Sequence, residues 1–108
     1  MEAVIVAARL KARRLIGERR ILIQEALGDL TILNESTEAL RIAQDLPVIS
    51  TPADPFTGRG AMWVWDKSAY AGQFPADTPA HDLYWELAPM RHQMENFLIS
   101  DGARLTAE

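Results

Sequence analysis

The sequence contains no cysteine and only two histidines among its 108 residues. The first absence excludes a disulfide framework and all thiolate chemistry, and any metal site would have to be completed by carboxylates. No apolar run approaches the ~20 residues needed to span a bilayer. Residues 1–14, MEAVIVAARLKARR, place their apolar run before the basic residues, the reverse of a secretory signal. Together these features predict a cytoplasmic protein with no membrane partner. Aromatic residues are few, three Trp, three Phe and two Tyr, and none precedes Phe56.

What is present fits an ordinary globular chain: 48% hydrophobic and 24% charged residues over a length that predicts one small domain, 1–108. The formal net charge of −4 hides a polarity. Residues 1–27 carry six basic and three acidic side chains, and the remainder carries five basic and twelve acidic. Such a division predicts neutralisation within the chain or between subunits. A nucleic-acid surface contacted by Arg9, Arg13, Arg14 and Arg20 is the alternative. The acidic sequence pI of about 5.1 argues against that alternative.

Residues 2–27, read with a 3.6-residue period, gather Val4, Ile5, Ala8, Leu15, Leu22 and Ile23 within one broad face, and Gly28 stands where a helix C-cap glycine belongs. This predicts a long amphipathic N-terminal helix. Gly17, Arg19 and the β-prone runs VIV and ILI oppose that reading. A hairpin pairing 19–27 with 30–35 would set Ile32 opposite Glu25, so its faces mismatch. Residues 34–47, NESTEALRIAQDLP, predict a short second helix over about 37–45, capped by Ser36 or Thr37 and stopped by Pro47.

Three prolines in residues 47–55 make a connector. Residues 61–66, AMWVWD, follow as a short strand, with Trp63 and Trp65 on one face. Residues 77–102 predict a helix kinked at Pro89 or two consecutive helices, and residues 103–108 a frayed tail. The predicted fold class is therefore α+β and mainly helical: a long N-terminal amphipathic helix, a short second helix, an irregular aromatic segment with one short strand, and a kinked C-terminal helix.

Catalytic vocabulary is thin. His92 and Glu95 share a helix face, His81 lies near Asp77 and Asp82, and neither set has a recognised ligand spacing. Asp82 and Glu86 read as a solvated acidic face, and Ser68 has no base whose position is specified. TGRG, residues 57–60, lacks both phosphate-loop patterns, so no cofactor is expected. The informative stretch is residues 51–75, where Phe56, Trp63, Trp65, Tyr70 and Phe74 are interleaved with Gly and Pro. Large rings on rigid loops make efficient docking surfaces and equally efficient core cover. The expected function is a non-catalytic protein–protein interaction, as an assembly or regulatory accessory subunit that self-associates or docks on a larger protein. A nucleic-acid-binding regulator is the second reading, and a small enzyme with His81 or His92 beside an acid is the third.

Overall fold

The computed structural model describes residues 3–9, 19–29 and 33–108. Its first elements correct the expectation of a mainly helical chain. Ala3–Arg9 (β1) and Arg19–Ala26 (β2) are antiparallel strands, with Ala3 opposite Glu25 and Arg9 opposite Arg19. The described residues within 2–27 include no helix. The physical reason lies in β2: Leu22 and Ile23 are both fully buried although they point to opposite faces. A strand covered on both sides reads as an unbroken apolar run, and such a run also satisfies one broad helical face.

The chain leaves β2 through a turn with Gly28 at φ 80°. Helix α1, Asn34–Ala43, follows, and then β3, Gly60–Trp65, which pairs parallel to β2 from Ile21↔Gly60 to Ala26↔Trp65. A parallel neighbour requires a crossover, and α1 supplies it. The sheet order is β1-β2-β3. Helix α1 starts earlier than expected, and neither Ser36 nor Thr37 caps it. The Asn34 side chain instead accepts from Gly28 N and donates to Ala26 O, at 3.0 and 2.9 Å, tying the helix start to the end of β2.

Two layers cover the sheet. On one face Ile23 and Met62 pack with Leu46, Ile21, Leu40 and Val64, beneath α1. On the other, Leu22, Ala26, Ala61 and Trp65 meet Leu83 of α2 (Leu83–Glu86) and Met90 and Phe97 of α3 (Ala88–Ile99). The expected C-terminal helix breaks at Leu87, whose backbone is extended. Pro89 thus falls in the first turn of α3, where its missing N–H has no helical acceptor to serve. Gln24, 1% exposed, donates from Nε2 to Met90 O and Gln93 Oε1 at 2.8 and 3.0 Å, a buried polar tie between β2 and α3.

Gly60 is required by contact. A Cβ there would strike the Ile21 carbonyl oxygen and come within 2.8 Å of Leu46 Cδ2. The outer edge of β3 is occupied, because Met62 N donates to Pro47 O at 2.8 Å and Ile49 N to Met62 O at 2.9 Å. Residues 103–108 are no frayed tail: Leu105 is fully buried and exchanges two backbone hydrogen bonds with Ala53, at 2.8 and 2.9 Å. No helix among the described residues is long and apolar enough to cross a membrane.

Glu25 is the anomalous core residue. It is 5% exposed, and its Oε2 finds no hydrogen-bond partner among the described residues. Burial pushes its carboxyl above the usual glutamate range, nearby Glu38 adds to the rise, and Arg41 partly offsets it.

Two outcomes are expected. Leu105→Ala lowers stability by about 2–5 kcal/mol, as a core truncation rather than a surface change, measured by urea denaturation. A carboxyl raised in the folded state stabilises the fold while it is protonated, and this contribution is lost as pH rises from the ordinary glutamate range through the raised value. Glu25→Gln should therefore raise the melting temperature at neutral pH and leave it unchanged at acidic pH, and a variant melting lower at neutral pH would contradict this account.

Candidate functional site

The C-terminal ends of the parallel strands β2 and β3 lie side by side, joined beyond the ladder by Leu27 N donating to Trp65 O at 3.0 Å. In open α/β sheets the crevice beyond the carboxyl ends of parallel strands is where ligands are received. Two features occupy that end.

The first is the loop after β3. Asp66 caps a 3-10 turn, Lys67–Tyr70, by accepting from Ser68 N at 3.0 Å and Ser68 Oγ at 2.8 Å. These bonds, the hydroxyl foremost, hold the Asp66 carboxyl below its ordinary range. The chain then reverses through Gly72 at φ 88°, a conformation that disfavours any side chain. The reversal folds Phe74 back beside Lys67, whose Nζ stands 5.9 Å from the ring centroid, within cation–π range. Between them is a cavity of about 420 Å³ lined by Asp66, Lys67, Ser68, Ala71, Gly72, Phe74 and Ala76. Its walls are largely apolar, with one ammonium and one carboxylate at hand.

A run of rings connects this loop to the core. Tyr70 lies 5.5 Å from Trp65 and Trp65 lies 6.2 Å from Trp63, centroid to centroid, both pairs tilted. The loop is thereby seated on the same cluster that holds Leu83, Leu87 and Met90.

The second feature is a carboxylate–imidazole contact. Asp29, in the turn after β2, is buried, and its Oδ2 lies 3.3 Å from His81 Nδ1. His81 belongs to a 3-10 turn, Ala80–Asp82, leading into α2. A buried carboxylate can orient an imidazole for proton transfer, but that chemistry also needs a reacting group at the other ring nitrogen. What the contact does here is fasten the segment before α2 to the sheet. His92 and Glu95 lie elsewhere, along a separate depression of about 290 Å³ beside Ile99 and Glu108. Among the described residues no three His, Asp or Glu side chains are grouped to hold a metal ion.

The aromatic residues singled out from sequence divide. Phe56, 6% exposed, is core, packed with Leu22, Ala61, Phe97 and Leu105. Trp65 is core as well. Trp63 is half-buried, bridging the two clusters on that face, and Tyr70 and Phe74 are half-buried beside Trp65. Only Phe74 lines the cavity. Of the arginines, Arg20 donates from Nη1 to Phe56 O at 2.7 Å and Gly102 O at 3.3 Å, bracing two connections against β2. Arg9 stands opposite Arg19 at the end of the hairpin. Arg13 and Arg14 lie outside the described residues.

Sequence reasoning passed over Trp85, in α2, which at 68% exposure is second only to Ile99, at the end of α3, among the exposed large apolar residues described. The signal was available: the Leu83, Leu87, Met90 stripe leaves position 85 on the far side of the helix. Compared with protein-family models, curated proteins and solved structures, the chain matches none.

The cap bonds generate one expectation. Ser68→Ala should raise the Asp66 carboxyl toward its ordinary range in an NMR pH titration and broaden or shift the Lys67–Phe74 resonances, while the melting temperature stays close to that of the parent. An unchanged Asp66 titration would show that Ser68 does not hold the loop.

Proposed function

We propose that this chain is a non-catalytic interaction subunit, an accessory or regulatory protein of the cytoplasm that docks a protein partner through the loop Asp66–Ala76. The observation that carries the reading is the 420 Å³ cavity built by that loop, large enough for one apolar side chain and lined by Phe74, Ala71 and Ala76 with Lys67 beside it. A peptide presenting an aliphatic or aromatic anchor next to a carboxylate matches those walls: the anchor enters the apolar cavity and the carboxylate meets the Lys67 ammonium. Seating of the loop on Trp65 and Tyr70 limits the ordering that binding would cost.

A second reading has one observation in its favour. Directly opposed like charges destabilise a strand pair, and Arg9 faces Arg19 across the hairpin. An anionic strand such as nucleic acid would relieve that repulsion.

The test is selection of displayed peptides on the parent protein with Phe74→Ala as counter-selection. The expected result is enriched peptides carrying an apolar residue beside Asp or Glu. They should bind the parent at least about tenfold more tightly than Phe74→Ala, the cost of one lost anchor contact, with NMR shift changes confined to residues 66–76. Selection that yields nothing, or shifts elsewhere on the surface, overturns the reading. Binding of single-stranded or duplex DNA that weakens steeply with salt would favour the second one.

A further inference from the structure

The cavity beside the loop after β3 has two charged groups in its wall, and the peptide described above uses only one of them. Lys67 meets that peptide's carboxylate, whereas Asp66, which also lines the cavity, would repel it. The fold does not use up the Asp66 carboxylate. Both bonds from Ser68 end on its Oδ1, at 3.0 and 2.8 Å, and its Oδ2 has no partner among the described residues. The same bonds hold the carboxyl below its ordinary range, so it is anionic at neutral pH. Nor do the two charges cancel each other, since no ion pair joins Asp66 to Lys67. The backbone at Asp66 is extended, at φ −100° and ψ 113°, so consecutive side chains leave it in different directions, and the Lys67 ammonium stands at the Phe74 ring instead.

We infer that the loop receives the N-terminal residue of a protein partner: the α-ammonium meets Asp66, the apolar side chain enters the cavity against Ala71, Phe74 and Ala76, and a carboxylate on the following residue meets Lys67. The inference rests on the cavity reading and narrows it, from an apolar anchor anywhere in a peptide to an anchor at the start of a chain.

The first argument is charge. The wall offers an anion, a cation and an apolar surface. An internal anchor beside a carboxylate complements two of these, and a chain start complements all three with no net charge left over. Desolvation points the same way. A partner seated on the cavity takes water away from Asp66, and a peptide N–H in the middle of a chain returns one uncharged donor to an ionised oxygen, whereas an ammonium returns a charged one. Size is the third argument. A volume of about 420 Å³ lies toward the low end of the roughly 300–1,000 Å³ usual for small-ligand sites, which suits one side chain with its terminus. Capture of a terminal amine by a short loop is an established mode of peptide recognition.

The test uses the tripeptide Leu-Glu-Ala, amidated at its C-terminus so that the glutamate supplies the only carboxylate, with its N-terminus free or acetylated. In NMR titrations the free form should bind the parent protein about fivefold more tightly than the acetylated form, the upper range for one exposed ion pair, with shifts confined to residues 66–76. Asp66→Asn keeps an acceptor for Ser68 and should bind both forms alike, at the affinity of the acetylated one. A variant that weakens both forms equally would assign Asp66 a structural role and overturn the inference. Equal binding of the two forms by the parent, with shifts at residues 66–76, overturns it as well and leaves the cavity reading standing. No shift there from either form at millimolar concentration overturns both. Free leucine that binds as tightly as the tripeptide overturns the assignment to a protein terminus, and Lys67→Met should abolish any preference for Leu-Glu-Ala over Leu-Gln-Ala.

Discussion

The structure depends on β2 being covered on both faces and paired on both edges. Leu22 and Ile23 are adjacent, completely buried and oppositely directed, and that single requirement calls for two layers, one from α1 and one from α2 and α3. It also explains the crossover. A chain that must roof both sides of one strand can leave through a helix on one face, return as a parallel neighbour, and spend its second half on the other. The buried Gln24 bonded to Met90 and Gln93 then sets where α3 lies, since any slide along the strand would orphan an amide in the core.

The aromatic residues follow from the same geometry. Trp63 and Trp65 share the face roofed by α2 and α3, and Phe56 joins that layer from the connector. Ring volume fills the space between a sheet and a helix layer that contains only one full-length helix. What remains for the surface is the last part of the segment, where the chain has passed the end of β3 and reverses at Gly72. Core and candidate site are two ends of one run of rings, and this is why a loop of exposed alanine, glycine and serine keeps a defined shape.

The short helix around 34–43, the tryptophan strand and the break near Pro89 were legible because each carries a local signal: helical periodicity, β-branched and aromatic alternation, and a missing N–H. The N-terminal half was not. Its strands are separated by nine residues of sequence, β1 is apolar up to Arg9, and the apolar middle of β2 is buried on both faces, so neither strand shows a period of two. Gly17 and Arg19 were the residues that did not fit the helix; Arg19 opens β2, and Gly17 lies outside the described residues. Leu105 was misjudged for the opposite reason: its six-residue surroundings look polar and terminal, and it is buried among Leu22, Phe56, Ala61 and Phe97 and tied by its backbone to Ala53, most of them far away in the chain. The cavity was half legible, as an aromatic stretch with turn residues; which rings face inward depends on strand register, which composition does not contain.

The pairing of β2 with β3 joins positions 39 residues apart, from Ile21 to Gly60, whereas the pairing of β1 with β2 begins between Arg9 and Arg19. Loop closure makes the near pairing fast and the far one slow. The hairpin should therefore exist, with one of its edges still bare of β3, before α1 has carried the chain back. During that interval β2 presents a strand edge that in the finished molecule is sealed, and the order of assembly rather than the final energy decides how long the molecule is open to mispairing with its neighbours.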